Sequence, residues 1–121
     1  MFRELIGYKK AFGLALEIHT ISKRFPVEEL YSLVTQIRRS SRSVCSTIGE
    51  AYRKRDYPKH FKSKLTDASS ENSETIVWLD FAYAFEYITE IEHRDLTAKA
   101  EEVGKLIQYM INNTSKFYTS E

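Results

Sequence analysis

The sequence contains few residues that interrupt helices. Its 121 residues include four glycines and two prolines, and neither Asn-Gly nor Asp-Gly, the commonest pairs in two-residue hairpin turns, occurs. Strands in a small protein depend on such turns. This scarcity, together with abundant Leu, Ile, Ala, Glu and Lys, predicts an all-α fold.

Cysteine and long apolar runs are also scarce. Cys45 is the only cysteine, which excludes an intrachain disulfide and a cysteine-based metal site, and a reducing cytoplasm is the expected location. The most apolar run, Ile76 to Ile88, contains Asp80 and Glu86, so it is too short and too charged to cross a bilayer. The N-terminus has no apolar signal segment. We therefore expect one domain over residues 1–121 and no membrane partner.

The periodicity of apolar residues divides the chain into four helices. They are predicted over residues 8–22, 26–54, 58–88 and 89–117. Pro26 and Pro58 suit a first helical turn, Asp56 is predicted to cap the third helix, and Thr89 with Glu92 forms a capping box for the fourth. Because the links are short, an antiparallel, up-down-up-down four-helix bundle is expected. An array of α-hairpins completed by other subunits is the alternative.

Apolar stripes on these helices predict the core and one interface. On the first helix the stripe contains Phe12, Ala15, Leu16 and His19, and it is widened by Leu14, Ile18 and Ile21. On the third helix the predicted core positions are Phe61, Leu65, Ala68, Asn72, Ile76, Leu79 and Tyr83. The same helix carries a second stripe, made of Trp78, Phe81, Phe85 and Ile88. A helix that is apolar nearly all round must be covered all round, so we interpret the second stripe as an interface between subunits.

The charges are segregated along the chain although the net charge is only +1. Residues 38–64 hold nine basic and two acidic side chains, a net charge of +7. Residues 65–121 hold four basic and eleven acidic side chains, a net charge of −7. Such asymmetry is typical of an anion-binding face, and it is equally compatible with two faces that pair within an oligomer.

The basic segment is the main functional candidate. The predicted nucleic-acid-binding residues are Arg38, Arg42, Arg53, Lys54, Arg55, Lys59, Lys62 and Lys64. Their side chains would neutralise phosphates, and interleaved aromatic rings would stack on bases. These rings belong to Tyr52, Tyr57, His60 and Phe61. The alternative is a solvated helix end, or salt bridges to acidic residues of the third helix.

A structural network of ion pairs is predicted beside the basic segment. Arg38 lies next to the apolar stripe of the second helix, and an arginine that is buried there needs a carboxylate partner. The predicted members, within one subunit or between subunits, are Arg38, Arg39, Glu50 and Glu74, and a functional anion site is the alternative.

Catalytic and metal-binding patterns are absent from the sequence. His19, His60 and His93 lie on different segments, so none has a second histidine at helical spacing. Cys45 has no histidine at a matching position that would activate it. No phosphate-binding glycine loop or nucleophile elbow occurs. We therefore expect no enzymatic activity, no metal and no cofactor.

The central segments resemble one protein family. The matching residues are Phe25-Pro26, Glu29-Leu30-Tyr31, Leu33, Gln36 to Ser40, Ser43-Val44, Ile48 and Glu50, and further on Ala68, Ser73-Glu74-Thr75, Trp78-Leu79-Asp80 and Ala82. This pattern is similar to that of the proteins encoded in intervening sequences of bacterial 23S ribosomal RNA genes, the S23 family. Thr47 to Ala51 departs from it, because the family usually reads Asn-Ile-Ala-Glu-Gly there.

The resemblance implies a left-handed four-helix bundle that assembles into a ring, typically of five subunits, with no enzymatic activity. It also implies similarity to the accessory proteins of diversity-generating retroelements, which are linked to reverse transcriptase and nucleic acid. Possible partners are thus further copies of the chain, RNA or a ribonucleoprotein, and a reverse-transcriptase-like protein. The expected function is nucleic-acid binding by a homo-oligomer, and a protein–protein adaptor or structural ring is the alternative.

Overall fold

Both prolines lie where a helical segment begins. In the computed structural model, which describes residues 1–118, four α-helices are joined by short segments. Residues 119–121, the end of the predicted domain, lie outside the described residues. The helices are α1 (Ile6–Ser22), α2 (Thr35–Tyr52), α3 (Pro58–Ala84) and α4 (Glu90–Asn112). No strand occurs within residues 1–118, so the all-α prediction is confirmed for that range, and no helix there is long and apolar enough to cross a membrane.

The predicted second helix is interrupted near its start. A 3₁₀ turn at Val27–Glu29 and a π-helical segment at Leu30–Val34 precede α2. The Glu29 carboxylate accepts hydrogen bonds from the Ser32 hydroxyl at 2.6 Å and from the Leu33 N–H at 3.3 Å. The Thr35 hydroxyl donates to the Leu30 carbonyl at 2.6 Å. The Leu33 N–H and the Leu30 carbonyl, which would bond other backbone groups in a regular α-helix, are thus bonded by side chains. The backbone of this segment adopts the π-helical hydrogen-bond pattern instead.

The third helix ends earlier than predicted, at Ala84. Glu86 has a φ of 63°, the Tyr87 N–H donates to the Ala82 carbonyl, and the Glu86 N–H donates to the Tyr83 carbonyl. This is a Schellman motif, which normally places glycine at the position with positive φ. The chain reverses here without glycine, which is why the sequence pattern did not reveal the helix end.

The predicted N-cap of α3 is wrong, whereas the predicted N-cap of α4 is correct. Tyr57, not Asp56, is the N-cap residue of α3, and its side chain makes no capping hydrogen bond. The capping box of α4 is confirmed, because Thr89 accepts from the Glu92 N–H at 3.1 Å and Glu92 accepts from the Thr89 N–H at 2.8 Å. Beyond α4, the chain continues as a 3₁₀ turn at Thr114–Phe117.

Buried positions along α3 and α4 recur at alternating steps of four and three. On α3 they are Phe61, Leu65, Ala68, Asn72, Thr75, Leu79 and Ala82. Thr75 and Ala82 are buried where Ile76 and Tyr83 were predicted. The observed positions average 3.5 residues per turn, which keeps one narrow seam facing the neighbouring helices, whereas the predicted ones followed the 3.6-residue turn of a straight helix.

The buried face of α1 also differs from the prediction. Ala11, Leu14 and Ile18 are buried, whereas Phe12 is 48% and Leu16 is 56% exposed. The predicted stripe was thus correct at Leu14 and Ile18 but wrong at Phe12 and Leu16. An apolar surface therefore remains on the outside of α1.

Two buried polar contacts connect the helices across the core. The hydroxyls of Ser40 on α2 and Thr75 on α3 lie 2.9 Å apart, and the Asn72 side-chain N–H of α3 donates to the Ala100 carbonyl of α4 at 2.8 Å. The Ser40 and Thr75 hydroxyls also bond carbonyls of their own helices, whereas the Asn72 amide has this one hydrogen-bond partner within residues 1–118. The Asn72 contact therefore fixes the register of α3 against α4, because a shifted helix would leave this buried amide unpaired.

The positive φ of Glu86 yields a test by substitution. Glu86→Gly is expected to raise the free energy of unfolding by about 1 kcal/mol, because glycine adopts this conformation without the steric cost of a Cβ atom. Urea unfolding followed by circular dichroism measures the change. Glu86→Ala is the matched control, since it removes the same carboxylate but keeps the Cβ. Equal stabilisation by both variants would show that charge, not backbone strain, is relieved.

The contact between Glu29 and Tyr87 predicts a dependence on pH. The Ser32 hydroxyl and, next, the Tyr87 hydroxyl at 2.8 Å lower the pKa of Glu29 from its ordinary 4.5. A carboxyl with a lowered folded pKa stabilises the fold above its ordinary pKa, and this stability is lost as pH falls through the folded value. Tyr87→Phe should therefore lower the unfolding midpoint at about pH 7 and have little effect at about pH 3.

Tyr83→Phe is the control for that comparison, because the structure gives the Tyr83 hydroxyl no hydrogen bond within residues 1–118 while its ring stacks on His93 at 4.6 Å. This variant should leave the midpoint unchanged at both pH values. A Tyr87→Phe effect that does not vary with pH would contradict the role assigned to Glu29.

Candidate nucleic-acid interface

The turn between α2 and α3 presents a group of exposed cations. It closes through hydrogen bonds from the Lys54 N–H to the Ala51 carbonyl and from the Tyr57 N–H to the Lys54 carbonyl, both at 2.8 Å. Four side chains extend from this turn and the first turns of α3 into solvent. We call this set the basic surface: Arg53, Lys54, Lys59 and Lys62.

Within residues 1–118, no salt bridge joins a member of the basic surface to a carboxylate. By contrast, Arg39, Arg24, Lys10 and Lys99 each pair with glutamate. Cations so close in sequence repel one another unless an anion neutralises them. The basic surface therefore has an electrostatic preference for an external anion.

Aromatic rings accompany the basic surface, but not all those predicted. The Arg55 guanidinium lies 4.1 Å from the centroid of the Tyr52 ring and donates to the Tyr52 carbonyl at 3.0 Å, so it is held against the end of α2. Tyr57 is 63% exposed, and its ring meets His60 edge to face at 6.3 Å. Phe61 is fully buried, so the expectation that it stacks on bases is wrong.

The remaining basic residues predicted to bind nucleic acid lie elsewhere or are paired. Lys64 pairs with Glu50 at 3.1 Å. Arg42 lies eleven residues before Arg53, about 16 Å away along a helix that rises 1.5 Å per residue. Arg38 is one turn further still. The eight predicted residues thus do not form one group.

Arg38 and Arg42 instead contact α1. The Arg38 Nε donates to the Ser22 hydroxyl at 2.8 Å, and its Nη2 donates to the His19 carbonyl at 3.4 Å. Arg38 thus satisfies groups at the C-terminus of α1, where a cation is favoured by the helix dipole. The prediction that Arg38 pairs with a carboxylate is therefore wrong. The Arg42 Nη2 lies 3.0 Å from Nδ1 of His19, and because arginine only donates, this nitrogen is the acceptor.

The ion-pair network is present around Arg39. Its guanidinium pairs with Glu74 and, at 3.4 Å, with Glu71, and the hydrogen bond to Glu74 is the main cause that raises the pKa of Arg39. Glu74 also accepts from the Trp78 indole N–H at 3.1 Å. Arg39 and Glu74 therefore pair as predicted, while Glu50 pairs with Lys64 instead.

Three of the four predicted interface residues belong to a continuous row of aromatic rings on the surface. We call this row the aromatic ladder: Trp78, Phe81, Phe85 and Tyr87. Successive centroids lie 5.9, 5.8 and 5.6 Å apart, spacings at which ring pairs attract. Phe81 is 45% and Phe85 is 52% exposed. Ile88 is only 4% exposed and packs in the core, because the chain turns inward after Ala84, so it is not part of an outer surface.

Sequence reasoning missed a groove between α1 and α2, which we call the α1–α2 groove. It encloses about 490 Å³, and its lining includes Tyr8, Phe12, Leu16, His19 and Arg42. The signal that could have found it was the exposure of Phe12 and Leu16, but the sequence alone assigned both to the core. Cys45 also lines the groove, and burial raises the pKa of its thiol to about 11, so the sulfur stays protonated at neutral pH.

No group of three or more His, Cys, Asp or Glu side chains within residues 1–118 is arranged to hold a metal ion. The histidines have other contacts: His93 Nε2 lies 2.8 Å from the Asp80 carboxylate, and His60 meets Tyr57.

Comparison with known proteins agrees with this architecture. A solved structure from Bacteroides thetaiotaomicron, described as a protein with unknown function from the S23 ribosomal protein family, is 27% identical and superposes with a TM-score of 0.80. The similarity covers 93% of this chain and 99% of that one. No curated protein matches the sequence significantly. The model of the 23S rRNA-intervening sequence protein family matches residues 3–109, and the chain therefore belongs to that family.

Proposed function

We propose that this chain is a non-enzymatic, oligomeric protein of the cytoplasm that binds nucleic acid, with RNA as the leading candidate ligand, through the basic surface. The observation that carries the proposal is the group of four exposed cations without a carboxylate partner in residues 1–118. Phosphate backbones are the polyanions that such a surface neutralises, with little readout of sequence. Tyr57 and His60 lie beside these cations and offer ring faces to unpaired bases.

The same proposal includes an up-down-up-down, left-handed bundle. Pairs between helices support antiparallel neighbours: Lys10 and Lys99 bind Glu102 and Glu17, so α1 and α4 run in opposite directions. The pairs Arg39–Glu74 and Lys64–Glu50 support the same relation for α2 and α3. The 3.5-residue spacing of buried positions on α3 favours left-handed supercoiling.

The oligomer is proposed to be a ring, with five subunits by family resemblance. The exposed aromatic ladder supports self-association, since monomeric proteins seldom leave such contiguous apolar surface uncovered. A ring would repeat the basic surface around its axis, and repeated sites on one RNA raise the overall affinity. A ribonucleoprotein or a reverse-transcriptase-like protein is the further partner that the family resemblance implies.

A protein–protein adaptor is the second candidate function. The ion pairs of Arg39 with Glu71 and Glu74 and of Lys64 with Glu50 support it, because part of the basic segment is neutralised within the chain. In that case the unpaired cations would bind an acidic protein surface instead of phosphates.

The nucleic-acid proposal is tested by titrating nuclease-treated protein against labelled structured RNA at several salt concentrations. Neutralising about four phosphates, one for each member of the basic surface, should give a slope of log K against log salt of about −3 to −4. Replacing Arg53, Lys54 and Lys59 by glutamate should weaken binding and reduce the slope by about 2 to 3, because three phosphate contacts are lost.

The matched control reverses three exposed cations that lie outside the basic surface and the α1–α2 groove, Lys9, Arg94 and Lys105, and thus changes net charge equally. This variant should keep most of the affinity and nearly the wild-type slope. Equal loss in both variants would indicate a nonspecific effect of net charge. No binding by the assembled wild-type protein at low salt would overturn the proposal and favour the adaptor.

A further inference from the structure

Two exposed apolar surfaces lie on different parts of the molecule. The aromatic ladder follows α3 and the turn after it, while the α1–α2 groove is bounded by α1 and α2. In the packing of the helices, α1 lies mainly against α2 and α4, and α3 also lies mainly against α2 and α4. Because α1 and α3 are thus diagonal partners, the ladder on α3 and the groove beside α1 are separate surfaces that share no residue.

Acidic groups border the Phe85–Tyr87 end of the aromatic ladder. Glu29 accepts from the Tyr87 hydroxyl at 2.8 Å, whereas Glu74, which accepts from the Trp78 indole N–H at 3.1 Å, is paired with Arg39. Glu86 lies between Phe85 and Tyr87 in sequence and is exposed at the end of α3. Its positive φ is a conformation in which glycine would be favoured, yet an acidic residue occupies the position.

The α1–α2 groove has the opposite character. Arg42 and His19 line it, and no carboxylate is among its lining residues. Burial first, and then the charges of Arg38, Lys23 and Arg42, lower the pKa of His19, which shows that several cations act at this site. The floor and walls are apolar, with Phe12 and Leu16 about half exposed.

The charge and shape of the two surfaces determine which of them would be in contact when two copies associate. If two ladders met, their acidic groups would oppose each other, and if two grooves met, their cations would do so, which is unfavourable in both cases. A ladder against a groove places acidic groups opposite basic ones and projecting rings opposite a concave surface. A volume of about 490 Å³ is large enough to receive aromatic side chains.

We propose that the aromatic ladder of one copy docks in the α1–α2 groove of the next copy, with Phe81 and Phe85 inserted beside Phe12 and Leu16. This inference rests on the self-assembly included in the proposed function and specifies the surfaces that achieve it. The contact is heterologous, since each subunit contributes a different surface, and heterologous contacts form rings when the rotation between copies closes. A closed ring covers both apolar surfaces on every subunit.

The test uses one substitution on each surface. Phe81→Arg places a cation opposite the basic groove, and Leu16→Arg places a charge inside the apolar groove. Either variant alone should fail to assemble, and light scattering should report the mass of the 14.2 kDa subunit. Ile91→Arg on α4 is the matched control, because Ile91 is 71% exposed and lies on neither surface, and it should assemble as the wild type does.

Mixing the two variants distinguishes a heterologous contact from a symmetric one. The Phe81→Arg chain keeps its groove and the Leu16→Arg chain keeps its ladder, so an equimolar mixture should form a complex of one copy each, with twice the subunit mass. The surfaces left over both carry arginine and cannot pair. A mixture that remains monomeric, or a single variant that assembles fully, overturns the inference.

Circular dichroism shows whether each variant is folded, and Phe85→Arg with Phe12→Arg provides a second pair if either of the first two unfolds. If the wild type assembles but the substitutions do not prevent it, this inference fails and the proposed oligomer stands. If the wild type is a monomer at all concentrations, self-assembly itself is refuted together with this inference. The RNA titration still reports separately on the basic surface.

Discussion

The spacing of buried positions along the helices constrains the rest of the structure. On α3 the buried residues recur at alternating steps of four and three from Phe61 to Ala82, and α4 shows the same alternation from Leu96 to Met110. A helix with this spacing buries one narrow seam, and the other side chains remain outside it. Burial of these seams supplies the main driving force for folding, because apolar area is removed from water along the whole length of each helix.

A narrow seam leaves apolar residues outside the core whenever the sequence has more of them than the seam can hold. Phe81 and Phe85 on one side and Phe12 and Leu16 on the other are such residues. The ladder and the groove are therefore consequences of the packing, not separate additions to it. The charges that surround them differ in sign, and this difference gives the two surfaces distinct roles in our proposal.

The buried polar contacts add specificity to this packing. Ser40, Thr75 and Asn72 are buried among mostly apolar residues. A shift of α3 by one turn would keep apolar residues in contact but would leave the Asn72 amide without its hydrogen-bond partner on α4, at a cost of about 1–3 kcal/mol. The register so fixed also brings Arg39 opposite Glu71 and Glu74, which removes Arg39 from the cations available to a ligand.

The sequence by itself determined the helical class, the capping box at Thr89, the segregation of charge and the family, because these depend on residue type and on spacing within a few positions. It did not determine which side of α1 is buried, where α3 ends, or that Arg38 contacts Ser22, since each depends on atoms distant in the chain. Only the tertiary structure decided that Ile88 turns into the core while Phe85 stays outside. The physical reason is that periodicity records how apolar a face is, whereas burial depends on which neighbouring helix covers it.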